Sequence, residues 1–193
     1  ISFMTPKTCG HDMKKAISLD LETLGAGVNA AIASIGACRF DPQSSAIDDV
    51  FHIHVSLENC QRHGLAFDAS TLLWWLGQDE DARRSLITGQ EHAAPLITAL
   101  DLLAAFIADT GEDSELWVNG ASFDLPILAN AYRVAGMPQP WKFWAERDLR
   151  TLKNLHGGAS IPRDGIAHNA LHDAIHQARL IQHILNSTME SES

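Results

Sequence analysis

Little in this chain suits a secreted, membrane-bound or disulfide-stapled protein. Cysteine is scarce: Cys9, Cys38 and Cys60 are odd in number, scattered, and never spaced as CxxC. That argues against a disulfide framework or a zinc ribbon, and for a reducing, cytoplasmic compartment. No apolar run approaches the roughly 20 residues that a membrane-spanning helix needs, so no membrane partner is expected. The first fifteen residues are mixed, polar and partly basic, and do not read as a signal peptide. Positive charge is in short supply: 14 Lys and Arg against 24 Asp and Glu leave a net charge of −10. Such a balance disfavours indiscriminate binding to nucleic acid. No internal repeat, linker or low-complexity segment interrupts the chain.

What is present is an ordinary globular composition, 46% apolar and 20% charged over 193 residues, enough for one domain with a full core. Residues 1–12, "ISFMTPKTCGHD", have no periodicity and read as a leader or a cloning remnant. A single domain over 13–188 and a short tail over 189–193 are expected. The basic charge is unevenly spread. Between 133 and 163 stand Arg133, Lys142, Arg147, Arg150, Lys153 and Arg163 against Glu146 and Asp148, a local +4 that leaves −14 on the rest. Such a stretch could steer a phosphate chain, or be an ordinary solvated surface.

Residues 14–22 predict a strand, with Ile17, Leu19 and Leu21 alternating with Ser18, Asp20 and Glu22. A second strand over 30–40 is rich in small residues. The third, 50–57, sets Phe51, Ile53, Val55 and Leu57 against His52, His54 and Ser56, the pattern of an antiparallel edge strand. The period then changes to helical over 68–78, 79–87 and 94–110. A short strand (115–120), a helix (123–136), a fifth strand (141–148), a short helix (147–157) and a closing helix from Asn169 to about 186 follow. Strands first, then strand–helix alternation, predict an α/β protein with a mixed sheet.

Asp20 and Glu22 are two apart on a strand, so both leave the same face. Two carboxylates on a buried strand face are costly unless a cation or donors neutralise them, and Mg²⁺ or Mn²⁺ suits oxygen ligands. The plain alternative is a solvated strand end. "DLET" also invites comparison with haloacid-dehalogenase-type phosphatases, which place a second Asp where Glu22 stands. The lysine and acidic motif such enzymes need downstream are missing. Asp124 follows a short apolar strand as the next helix opens, where it is either a capping residue or, at a strand's C-terminal edge, near a ligand.

The stretch 167–178, "AHNALHDAIHQA", spaces His168, His172 and His176 four apart, as in a helical metal site such as zinc. Asn169 is the natural N-cap, which leaves His168 on the loop. Leu171, Ala174, Ile175, Ala178, Ile181 and Leu185 then form the core stripe, while His172, His176, Arg179 and His183 gather on a solvated face. Asp173 projects about 100° beyond His172, on the side of Leu180 and Ile184, and needs a partner.

The ordered set "DLET" (20–23), "NGASFD" (119–124) and "HNALHD" (168–173) resembles the DEDDh-type 3′–5′ exonucleases, the superfamily of ribonuclease T and the bacterial polymerase proofreading subunit. "NAAIASIGA" and "TLLWWLGQ" are similar to a compact phage and bacterial exoribonuclease branch. The resemblance implies a ribonuclease-H-like fold, a five-stranded mixed sheet flanked by helices. It also implies hydrolysis with two Mg²⁺ or Mn²⁺ ions, and nucleoside 5′-monophosphates released from a free 3′ end. By that resemblance Asp20 bridges both ions, Glu22 and Asp173 complete the tighter site, Asp124 acts through water, and His168 is the base. Leu21, Thr23 and Leu24 would hold the terminal nucleotide, Thr23 at the 3′-hydroxyl and Leu24 against the base. Asn119 joins the substrate contacts. Phe123 is expected mainly to pack, and Trp74 and Trp75 are expected in the core. Arg147, Arg150, Lys153 and Arg163 are the expected track for the scissile strand. RNA is favoured over DNA on the branch likeness alone. Members of the superfamily often form homodimers. The alternative is a non-catalytic nucleic-acid or protein-interaction module that keeps the fold.

Overall fold

A computed structural model describes residues 15–111 and 114–191. The expected leader, 1–12, lies outside them. Five strands, β1 (Ala16–Thr23), β2 (Ile32–Phe40), β3 (Ile47–His54), β4 (Glu115–Val118) and β5 (Glu146–Asp148), form one sheet in the order β3-β2-β1-β4-β5. β1 pairs antiparallel with β2, and β2 with β3, whereas β4 runs parallel to both β1 and β5. Seven helices accompany them: α1 (Leu57–Arg62), α2 (Ala69–Leu76), α3 (Glu80–Gly89), α4 (Leu96–Thr110), α5 (Asp124–Val134), α6 (Leu149–Leu155) and α7 (Ala170–Ser191). The mixed five-stranded sheet flanked by helices agrees with the sequence expectation.

Parity along β1 divides the interior. Ile17, Leu19 and Leu21 join Ile35, Leu116 and Val118 in a core covered by Leu100 and Leu103 of α4 and Leu128 and Tyr132 of α5. Ala16 faces the other way, in a core with Cys38, Phe40, Trp117, Leu149 and the Ala178–Ile181–Ile184 side of α7. Each fully buried Leu or Ile here contributes about 1.5–3 kcal/mol. Asp20 and Glu22 share the parity of Ala16, so the strand delivers them beneath α7.

α7 descends close to the sheet because β2 carries a glycine where it crosses. Gly36 is the partner of Asp20 across β1 and β2. A Cβ placed there would lie 2.1 Å from the Ala170 carbonyl carbon and 2.2 Å from the Leu171 nitrogen. The small residues of β2 thus let the first turn of α7 settle beside Asp20. The buried stripe of α7 is rotated from the expected one. Ala170, Ala174, Ala178 and Ile181 form its centre, and Asp173, Gln177, Leu180 and Ile184 are buried with them, while Leu171, Ile175 and Leu185 are only half-buried.

Several boundaries differ from the sequence reading. β3 stops at His54, because Ser56 caps a helix the sequence reading lacked: its hydroxyl accepts from the Asn59 N–H at 3.2 Å. The fifth strand shrinks to Glu146–Asp148 behind a 3₁₀ turn at Phe143–Ala145. α7 runs to Ser191, past the expected end of its periodic pattern.

Gly36→Ala should therefore cost about 1–3 kcal/mol in denaturant unfolding, the usual penalty of overpacking. The same variant should lift the first turn of α7 away from β2, read as faster amide exchange over 170–174. Wild-type stability together with wild-type exchange there would show that the close contact does not hold α7 in place.

Candidate active site

Three carboxylates converge where β1 meets α7. Asp20, Glu22 and Asp173 each offer an oxygen within 4.8 Å of the others'. Asp20 and Glu22 come from alternate positions of β1, and a bulge in the β1–β2 pairing follows directly at Glu22/Thr23. Such bulges bend a strand and re-aim side chains beside a site. Asp173 comes from the first turn of α7. Asn169 caps that helix as expected, its Oδ1 accepting from the His172 N–H at 3.2 Å. Asp124 opens α5 and is buried, its Oδ1 accepting from the Leu21 N–H at 3.3 Å.

Burial dominates the ionisation of these groups. It raises Asp20 well above the ordinary carboxylate range, reinforced by Asp124, Glu22 and Asp173 and opposed by a hydrogen bond from Gln177. Glu22 is pushed up to about 8, first by burial and then by Asp173 and Asp124, with Arg163 opposing. Asp124 rises to about 7, again by burial, with the Leu21 N–H opposing. Carboxylates crowded in low dielectric hold their protons unless a cation arrives. Hard carboxylate oxygens are the donor set of Mg²⁺ or Mn²⁺, so the residues fit a divalent ion.

The protein's own cation at the cluster is Arg163, whose Nη1 pairs with Asp173 Oδ1. The other oxygen, Oδ2, accepts from the His168 N–H at 3.0 Å. His168 takes a left-handed backbone, φ 60°, one residue before the cap. Its ring stands against Trp74, with centroids 4.8 Å apart and planes at 81°. The three histidines of the ladder do not converge. His172 Nδ1 accepts from the Ile166 N–H at 3.1 Å, and among the described residues only the acid triplet has metal-ligand spacing.

A cavity of about 210 Å³ opens beside Asp20 and Asp173, lined also by Asn119, Lys153, Arg163, His176 and Gln177. Gln177 Nε2 donates to Asp20 Oδ1 at 2.7 Å. Gln177 did not stand among the expected site residues, and His176 stood only in the histidine ladder. Helical spacing held the signal: they follow Asp173 by four and three positions, on its side of α7. His176 is half-buried and lines the cavity, and burial, then Arg163, lowers its pKa.

Other expected residues fall unevenly. Arg150 reaches the site's edge, its Nη2 donating to the Asn119 carbonyl at 3.1 Å. Arg147 does not join it. Its guanidinium is held by Glu115 at 3.1 Å and by the Trp144 and Glu146 carbonyls, toward the opposite end of β4. Leu24 is buried against Ala33, Trp75 and Ala82, so its side chain faces a core and not a base. Thr23 is also buried, and its hydroxyl donates to the Gly25 carbonyl at 2.7 Å. Phe123 is exposed, against the expectation of packing. Trp75 is core as expected, but Trp74 is 46% exposed.

A family model for a 3′–5′ exoribonuclease Rv2179c-like domain matches residues 15–185. An exodeoxyribonuclease of enterobacteria phage T4 is 27% identical over 207 residues, covering 90% of each chain. Among solved structures, the rAMP-bound nuclease domain of 3′hExo, a DEDDh family member, superposes with a TM-score of 0.63 at 13% identity. That match covers 92% of this chain and 94% of the other. S. pombe Pop2p in its Mg²⁺- and Mn²⁺-bound form gives 0.60 at 16% identity, over 92% and 86% of the two chains. E. coli exonuclease I bound to a dT13 oligonucleotide gives 0.65 at 14% identity over 93% of this chain, which spans only 42% of that one. These structural likenesses establish the ribonuclease-H-like exonuclease fold. Fold and family model together define a domain of an exonuclease family. The chain belongs to the Rv2179c-like 3′–5′ exoribonuclease domain family. Among the described residues no helix is long and apolar enough to cross a membrane.

The raised carboxylates make stability depend on pH. Below pH of about 4.5, Glu22 is protonated in both folded and unfolded chains; from there to about 8 the unfolded chain ionises first. The folded state then binds more protons, so stability falls as pH rises. Metal-free protein should melt at a lower temperature at pH 8 than at pH 5. Glu22→Gln should flatten that slope, and Mg²⁺ or Mn²⁺ should restore more stability at pH 8. A Glu22→Gln slope as steep as wild type would mean Glu22 is not charged against a cost.

Proposed function

We propose that this chain is a metal-dependent 3′–5′ exonuclease that hydrolyses phosphodiester bonds from a free 3′ end, with RNA favoured over DNA. The observation that carries the reading is the convergence of Asp20, Glu22 and Asp173 within 4.8 Å, beside Asp124 and under a loop histidine. The exoribonuclease family description supports RNA, while the phage relative is named an exodeoxyribonuclease.

Asp20, Glu22 and Asp173 would hold Mg²⁺ or Mn²⁺ directly, and Asp124 would act on the second of two ions. Bound divalent ions supply an acidified water and charge stabilisation at the leaving oxygen. The chain's own residues do the rest. Gln177 Nε2 holds one oxygen of Asp20, which limits how far the carboxylate can turn. His168 takes the proton from the attacking water, a general-base task that an imidazole commonly performs. Lys153 and Arg163 line the cavity with Asn119, and Arg150 reaches its edge; the three cations would neutralise phosphate oxygens as the strand enters. With Asp173 engaged as a metal ligand, the Arg163 guanidinium that now pairs with it would be free to meet a substrate phosphate. The buried Thr23 and Leu24 contribute through the backbone path at the end of β1, together with Leu21. Exposed Phe123 is available to a base. A homodimer is compatible with this reading and needed by none of its steps.

The test is degradation of 5′-end-labelled single-stranded RNA, single-stranded DNA and duplex RNA with a 3′ overhang, in Mg²⁺ or Mn²⁺. A ladder shortening from the 3′ end, faster on RNA, is expected, with nucleoside 5′-monophosphates in the mass spectrum. No shortening of any substrate would defeat the proposal and favour a binding module. Asp20→Asn should lose turnover and metal binding together. His168→Gln should lose turnover by about 10²–10⁴-fold, the usual worth of a general base, yet keep Mn²⁺ affinity.

A further inference from the structure

As the base of the proposed reaction, His168 would need its ring held at a defined angle to the acid cluster. A working histidine is commonly steered by a carboxylate or carbonyl on its second ring nitrogen. Among the described residues, His168 is tied instead by its backbone N–H, on Asp173 Oδ2, and its ring meets aromatic neighbours. The left-handed backbone, φ 60°, sets where the Cβ leaves the chain. Side-chain rotation is then the remaining freedom.

That freedom ends in a corner made by two indoles. Trp74 meets the imidazole edge to face, with centroids 4.8 Å apart and planes at 81°; Trp75 lies at 6.2 Å and 78°. The two indoles brace each other at 5.2 Å and 79°. The corner is anchored to the catalytic strand. Trp75 Nε1 donates to the Thr23 carbonyl at 2.9 Å, one residue beyond Glu22, and its ring packs with Leu24, Ala33 and Ala82. Trp74 itself is 46% exposed, so core packing does not account for its place.

We infer that Trp74 is a positioning residue for His168, its edge-to-face contact orienting the imidazole toward the acid cluster in place of a hydrogen bond. The inference rests on the reading of His168 as the base. It gives α2 a role in the site: a helix that carries no acid fixes the base relative to the strand that carries two.

Trp74→Ala and Trp74→Phe in the full chain test it. With Mn²⁺ and a short single-stranded oligonucleotide, the alanine variant should lose about tenfold in kcat, the upper range of one edge-to-face pair, with KM unchanged. Phenylalanine keeps a ring and should recover most of the loss. Melting temperature and calorimetric Mn²⁺ affinity should stay near wild type in both. In spectra of ¹³C-histidine-labelled protein, the His168 Hε1 signal should be displaced from its random-coil position by the indole. It should move back in Trp74→Ala and hold in Trp74→Phe. An undisplaced wild-type signal overturns the inference. So does a raised KM with kcat intact, which would make Trp74 a platform for a substrate base. Full turnover in His168→Gln would instead sink the reading beneath it, with the ring contact still visible in the spectrum.

Discussion

Asp20 lies under the first turns of α7 with Glu22, Asp124 and Asp173 around it, and burial is the largest influence on its ionisation. Removing charge from water is expensive, and four acids sharing one region multiply the cost. The protein answers in part from its own side chains. Gln177 donates to Asp20, the Leu21 N–H to Asp124, and Arg163 and the His168 N–H to Asp173. Those contacts leave Asp20, Glu22 and Asp124 still raised. The arrangement is stable in its charged form only with more positive charge than the chain supplies there.

The rest of the architecture follows from holding that group together. β1 supplies two acids by strand parity, while β2 drops its side chain at Gly36 so that α7 can approach. α7 contributes Asp173 from a turn set by the Asn169 cap, and α5 contributes Asp124 from its first residue. Each acid therefore sits on a regular element, which suits a site that must be geometrically fixed. His168 is the exception, half-buried on a loop position with a left-handed backbone.

Much of this was legible in the sequence. Alternation along 14–22 put Asp20 and Glu22 on one face, and Asn169 marked where loop becomes helix; both readings rest on local periodicity and capping. The histidine ladder was the more conspicuous pattern and carried less, since His172 and His176 found separate neighbours and His168 turned toward Trp74. What stayed hidden depends on register between distant segments. Nothing near Gly36 announces that Ala170 will lie against it. Arg147 stood in a basic stretch, yet Glu115, 32 residues earlier, claims it once β4 and β5 align. Leu24 looked suited to a base beside "DLET", but the α2 indole buries it. Trp74 and Trp75 are neighbours in sequence and opposites in burial, a distinction set by how α2 lies on the sheet.

The most direct measurement is an anomalous-scattering map from crystals of the full chain grown with Mn²⁺. The account predicts peaks within coordination distance of the Asp20, Glu22 and Asp173 carboxylates, with the Arg163 guanidinium moved off Asp173. No peak at these carboxylates under saturating Mn²⁺, or the only peak among His168, His172 and His176, would contradict it.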